Sequence, residues 1–180
     1  RGFNKNGNVL SYSAILSSTF TKTDATSKLE LQTAYAPSYA AAGPNTLIDK
    51  IRGSNDFRTG DWQGFQGKDV VAIVSFTDAR TINSLGASWL KDLNSWIFEP
   101  SQIVIETSND GITYHAAAEF VIRTATKETE EKGLGSVVKS VVIDKVKFIR
   151  YTIRNQGVCP NWHLGAGNPT WIFLDELIFD

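Results

Sequence analysis

Oxygen-bearing residues crowd one short stretch of this chain. Asp49, Gly53, Ser54, Asp56 and Thr59 fall within eleven residues and offer carboxylate, carbonyl and hydroxyl oxygens. A hard cation such as calcium takes these donors from a bent loop. Glu176, close to the C-terminus, is the candidate that would join them from a strand. The spacing matches no closed motif of the EF-hand kind. The same carboxylates have simpler partners within reach, in Arg52, Arg58 or backbone N–H groups, and a buried carboxylate needs one of these.

A second constellation suits sugar chemistry. A pyranose offers a C–H face to an aromatic ring and its hydroxyls to polar side chains around that ring. Trp162, flanked by Asn161 and His163 in the Gly- and Pro-containing stretch 155–170, meets this description best. The competing reading makes Trp162 a lid packed over the core, with His163 capping a turn. Trp96, preceded by Asn94 and Ser95, is a further ligand candidate from another loop, as are Arg58 and Asp61 beside Trp62. Trp89 and Trp171 lie inside strand-like runs and read as core.

Catalytic patterns are missing. There is no Gly-x-Ser-x-Gly elbow, Walker loop or HExxH. Cys159 and His163 form a conceivable nucleophile pair, but no third residue is placed to orient them, and an incidental thiol is the stronger reading. The nineteen acidic residues include none in a recognisable glycosidase motif.

The elements that must carry these residues are strands. Polar and apolar residues alternate from 28 to 35, which predicts a half-buried strand. The apolar run 70–76 predicts a strand covered on both faces. Segments 102–106 and 112–116 flank Asp110-Gly111, a hairpin turn signal. Segments 137–143 and 146–153 read as another pair, and 171–179 as the last strand. In that strand Trp171, Phe173, Leu177 and Phe179 share a face with Asp175, while Ile172, Leu174 and Ile178 share the other with Glu176. No segment reads as an amphipathic helix. The pattern predicts an all-β fold, an antiparallel sandwich or jelly roll. Residues 39–68 carry little periodicity, and so long a loop in a compact domain points to a purpose.

Composition bounds the function. The 180 residues suit one domain with a sizeable core. A formal net charge of -1 supplies no field for nucleic acid or an anionic membrane. No apolar run reaches the roughly 20 residues of a membrane span. One cysteine and two histidines exclude a disulfide framework or a zinc-finger-type site.

Three segments carry a family resemblance: TLIDKIRGSNDFRTGDWQGFQG (46–67), LGASWLKDLNSWIFEPSQIVIETSNDG (85–111) and NWHLGAGNPTWIFLDELIFD (161–180). Together they resemble the discoidin-like (coagulation-factor C-type, F5/8 type C) domains. More narrowly, they resemble the family 32 carbohydrate-binding modules at the C-terminus of bacterial chitobiase-like family 20 β-hexosaminidases. The resemblance implies a jelly-roll sandwich of about eight strands with a glycan site on loops at one end, and a buried structural role for Trp62. It also implies a structural calcium ion in many members, export to the periplasm or beyond, and a catalytic domain elsewhere in the parent enzyme. The expected ligand is a terminal galactose- or N-acetylhexosamine-type sugar, bound without catalysis; the alternative is a purely structural domain packed on the catalytic domain. Residues 28–180 are expected to form the module, with 1–27 a linker or the last strand of a preceding small β domain.

Overall fold

The computed structural model describes residues 25–129 and 131–180, together with the backbone of two short strands, β1 (Phe3–Asn6) and β2 (Val9–Tyr12). These two pair antiparallel as a sheet of their own. They fall within the stretch 1–27 expected to be a linker or the last strand of a preceding small β domain, and the rest of that stretch before residue 25 lies outside the described residues.

The main sheet comprises β3 (Ser27–Leu31), β4 (Gln63–Gln66), β5 (Val70–Asp92), β6 (Gln102–Ser108), β7 (His115–Val121), β8 (Lys132–Arg154) and β9 (Trp171–Phe179). All of their ladders are antiparallel. β5 and β8 run 23 residues each and pair with each other along their length. Their pairing shifts register between Ser75 and Ser84, and such irregularities bend a ladder. The bend divides both strands between two layers. One layer has the order β3, first half of β5, second half of β8, β6, β7. The other has β4, β9, second half of β5, first half of β8.

The core lies between these layers. Val70, Ala72, Val74, Ile103, Ile105, Ile149, Tyr151 and Ile153 come from the first layer. They meet Leu85, Ala87, Trp89, Phe65, Ile172, Leu174 and Leu177 from the second. Tyr151 is fully buried and its hydroxyl donates to the Ile178 carbonyl at 2.8 Å, which meets the requirement of a buried polar tip.

Three expectations are corrected. Segments 137–143 and 146–153 are not a hairpin pair but consecutive parts of β8. Asp144-Lys145 reads as a turn, and Lys145 does take a positive φ of 60°, yet each part of the strand finds its partner in β5. The run 70–76 is buried on one face only, since Val71, Ile73 and Ser75 are half-exposed; β-branched residues suit the outer face of a strand as well. The long loop is interrupted by β4, whose four residues QGFQ are too few to show a period.

Gly135 faces the core because a Cβ there would sit 2.3 Å from the Trp89 indole. A Gly135→Ala variant should lose about 1–3 kcal/mol in denaturant unfolding, the cost of overpacking. Gly133→Ala, with open space at its Cβ, should stay within about 0.5 kcal/mol of the parent.

Candidate functional site

The bend in β5 and β8 brings Asp92, Lys132, Arg154 and Trp171 to the same end of the sandwich. There the segment after β5, the segment before β8 and the 155–170 stretch meet. Phe98 is buried with Leu93, Ala125 and Cys159 in a small core beneath these loops. Phe98 contacts both His163, at 5.3 Å between centroids, and Trp162, at 6.4 Å. The His163 Nδ1 accepts from the Gly165 N–H at 3.0 Å. Its Nε2 therefore carries the proton and donates to the Leu93 carbonyl at 2.7 Å. Both ring nitrogens are thus committed to backbone, and His163 ties the 155–170 stretch to the turn after β5.

That tie sets Trp162. Its ring meets His163 edge-on at 5.7 Å, and 38% of the residue stays exposed. His163 therefore caps the loop, and Trp162, packed at its edge, stays partly exposed. Asn161 is exposed beside it. Trp162, His163 and Leu164 line a cleft of about 240 Å³ with Asn94, Thr129, Lys127, Glu131 and Leu93. The Asn94 amide donates to the Glu131 carboxylate at 2.7 Å. Asn94, Lys127, Thr129, Glu131 and Leu164 were not singled out from the sequence. They come from three segments, the turn after β5, the connection before β8 and the 155–170 stretch, and only the fold assembles them.

Trp96 is 39% exposed and holds a left-handed φ of 61°. Its indole lies over Gly165, where a Cβ would come within 2.5 Å of it. Trp96 thus borders the same loop without lining the Trp162 cleft. Cys159 is buried in the Leu93–Phe98 core, and burial raises its thiol pKa. With the His163 nitrogens engaged elsewhere, the pair forms no nucleophile–base couple.

Arg58 and Asp61 do not join Trp162. Arg58 stacks over Phe57 at 4.6 Å and pairs with Asp56 at 3.4 Å, lining a different cleft of about 290 Å³ with Tyr39 and Phe57. Asp61 accepts the Thr59 hydroxyl at 2.7 Å within the same turn. Trp62 is buried against Leu90, Ile97 and Phe173, and its Nε1 donates to the Ser54 carbonyl at 3.1 Å. This loop therefore covers the outer face of the second layer.

The residues expected around calcium separate into groups. Asp56 and Thr59 belong to the exposed turn, where the Thr59 hydroxyl and the Arg58 N–H both bond to Asp56. Gly53 turns its N–H onto the Asp175 carboxylate at 2.8 Å. Glu176 accepts the Lys50 N–H at 2.9 Å. Burial, with Asp49 and Asp175 adding repulsion, raises the Glu176 pKa to about 8, and the Lys50 N–H pulls it back. Asp49 is also raised, first by burial and then by Asp175 and Asp61, against the Ile51 N–H. No three Asp, Glu, His or Cys side chains converge for a metal among the described residues.

Asp175 has the fuller set of partners. It is 1% exposed and accepts from the Ser88 hydroxyl, the Gly53 N–H and Arg52 Nε, the last at 3.3 Å. It stands at a β-bulge, since Ser88 faces Glu176 while Trp89 faces Leu174. The extra residue shifts the alternation of β9. Ile172 and Leu174 face the main core before it and Leu177 and Phe179 after it, while Trp171 and Phe173 pack outward with Trp62. This corrects the strict two-face reading of that strand. Asp175→Ala would strand a buried N–H and hydroxyl, so it should lose about 3–5 kcal/mol in urea unfolding. Arg52→Ala, removing a half-exposed partner, should lose about 1 kcal/mol or less.

No family model matches the sequence, and no curated protein matches it. Solved structures match across most of its length. A CBM32-3 module from a family 31 glycoside hydrolase of Clostridium perfringens aligns with TM-score 0.51 and 16% identity, over 84% of this chain and 90% of that one. An F5/8 type C domain from Bacteroides fragilis aligns with TM-score 0.52 and 11% identity, over 86% and 91% respectively. CpGH89CBM32-5 from Clostridium perfringens, in complex with GalNAc-β-1,3-galactose, aligns with TM-score 0.50 and 12% identity, over 86% and 94%. Among the described residues no helix is long and apolar enough to cross a membrane. The chain has the antiparallel β-sandwich fold of the discoidin-like, F5/8 type C domains.

Proposed function

We propose that this chain is a non-catalytic glycan-binding module of an exported glycoside hydrolase of the β-hexosaminidase type. It holds a terminal galactose- or N-acetylhexosamine-type sugar so that the catalytic domain works at a raised local substrate concentration. One observation carries the reading: Trp162 keeps an open aromatic face in a cleft ringed by Asn94, Thr129, Lys127 and Glu131. An aromatic platform with hydroxyl partners around it is what pyranose binding requires. The solved neighbours support the fold and include a module with a bound amino-sugar disaccharide. The test is calorimetric titration across galactose, N-acetylgalactosamine and N-acetylglucosamine. Binding by the parent and its loss in Trp162→Ala, with an unchanged melting temperature, is the expected result; no binding of any sugar by the parent would remove the reading.

Calcium enters the same proposal as a structural ion. Asp49 and Glu176 are the carboxylates that would hold it, because both are hard oxygen donors near each other, Glu176 buried with a single backbone N–H on one oxygen and Asp49 half-buried. Loop carbonyls and water would have to complete the shell. Chelator-stripped protein should melt higher on adding calcium, and the gain should vanish in Glu176→Gln. A titration with neither heat nor a melting shift would exclude it.

A second reading, a structural domain packed on the catalytic domain, is favoured by Leu134 and Val138. They share the outer face of β8 and are 53% and 54% exposed. If this reading holds, Leu134→Lys with Val138→Lys should lower the melting temperature of the full-length enzyme while leaving the isolated module unchanged.

A further inference from the structure

An edge strand carries a row of unpaired N–H and C=O groups, which is a template for another chain unless shortness, charge or a bulge blunts it. The edges of this sandwich are unequal in that respect. β3 and β4 have only five and four residues. β7 carries Glu119, and its pairing is bulged. β8 is different. Its second half pairs with both β5 and β6, whereas among the described residues its first half pairs with β5 alone. The register of that half is regular from Lys132 to Ser140. Residues 133–143, GLGSVVKSVVI, hold one charge, Lys139, and it is turned onto the Ala117 carbonyl of β7 at 3.2 Å. Lys139 apart, exposed and half-buried residues alternate from Lys132 to Ile143. Leu134, Val138 and Val142 therefore share the outer face, at 53%, 54% and 78% exposure.

That face matches itself when reversed about Val138. An antiparallel copy rotated on this residue sets Leu134 against Val142, Ser136 against Ser140 and Lys132 against Asp144. Apolar meets apolar, hydroxyl meets hydroxyl and cation meets anion, the cross-strand pairs that stabilise a sheet. Moving the axis to Val137 would instead set Leu134 against Ser140 and Ser136 against Val138. Lys132 meets Asp92 at 3.3 Å, and Asp144 accepts the Thr81 hydroxyl through Oδ1 at 2.7 Å. An ammonium with three donors and a carboxylate with two oxygens each keep capacity for a second partner. A two-fold interface needs a patch complementary to itself; an unrelated partner does not. From this we infer that the open edge of β8 pairs with the same edge of a second copy, giving a two-fold dimer with one sheet running through both molecules. The inference stands apart from the glycan-binding reading. Combined with it, the pairing sets the two Glu131 positions, each beside its Trp162 cleft, roughly 45 Å apart at about 3.3 Å per residue, and makes the module bivalent.

Sedimentation velocity on the whole chain, from micromolar to sub-millimolar concentration, reads the association directly. The parent should pass from monomer to dimer and stop there. Val138→Lys brings two ammonium groups together at the axis, where like charges repel, and should stay monomeric throughout. Lys132→Glu and Asp144→Lys should each weaken the dimer about tenfold, since each change acts twice across the axis. The double variant restores opposite charges and should recover most of the loss; melting temperatures establish that each variant folds. A parent that stays monomeric would overturn the inference and leave this edge to the catalytic domain. Growth beyond a dimer, unaltered association in Val138→Lys, or no recovery in the double variant would overturn it as well. None of these outcomes bears on sugar binding in the Trp162 cleft, which titration reads separately.

Discussion

A carboxylate taken out of water has to be met by donors, and Asp175 shows how much structure that demand organises. At a β-bulge in the last strand it is almost fully buried. It collects the Ser88 hydroxyl from the neighbouring strand, the Gly53 N–H from the long loop and the Arg52 guanidinium from the surface. The loop is therefore fastened to the sheet by a charge that would be unstable without it. Trp62 can then lie over Leu90 and Phe173, and a Cβ at Gly53 would collide with that indole at 2.3 Å. Electrostatics and packing converge on one glycine.

The same strand sets the chemistry around it. Glu176 follows directly, pairs with only one backbone N–H and is pushed up to about 8. Two adjacent acids thus differ in setting: Asp175 collects three donors and holds the loop, while Glu176 accepts the Lys50 N–H and has its pKa raised chiefly by burial. The second feature of the fold is the bend in β5 and β8. The bend turns both strands back, so their outer termini meet at one end of the sandwich. Loops on such a scaffold are the usual carriers of binding. At that end His163 joins two of them through backbone partners on both ring nitrogens.

Legibility from sequence varied by residue for physical reasons. The strand expected over 28–35 announced itself through alternation, although it ends at Leu31. Segment 171–179 was legible as an apolar strand, but its burial on both faces and its bulge were not. The four residues of β4 gave no such signal, being too short for a period. The Asp144-Lys145 pair carried real turn chemistry, including a positive φ, but whether strands either side of a turn pair with each other depends on what else is available. Trp162 was recognisable from its loop, its neighbours and its residue type. Asn94, Lys127, Thr129, Glu131 and Leu164 were not, since each is an ordinary surface residue alone. Arg58 had the right chemistry and proved to line another cleft, while Asp61 accepts the Thr59 hydroxyl within its own turn.

What the sequence by itself determined was the class of fold, the turn-rich acidic segment and a loop aromatic as a candidate, because period, turn chemistry and residue type are local properties. What only the tertiary structure decided was partnership: which donors reach Asp175, which backbone groups engage the two nitrogens of His163, and which polar residues surround Trp162. Those depend on distances across the sandwich end, set by a strand bend and a one-residue bulge that no local pattern encodes.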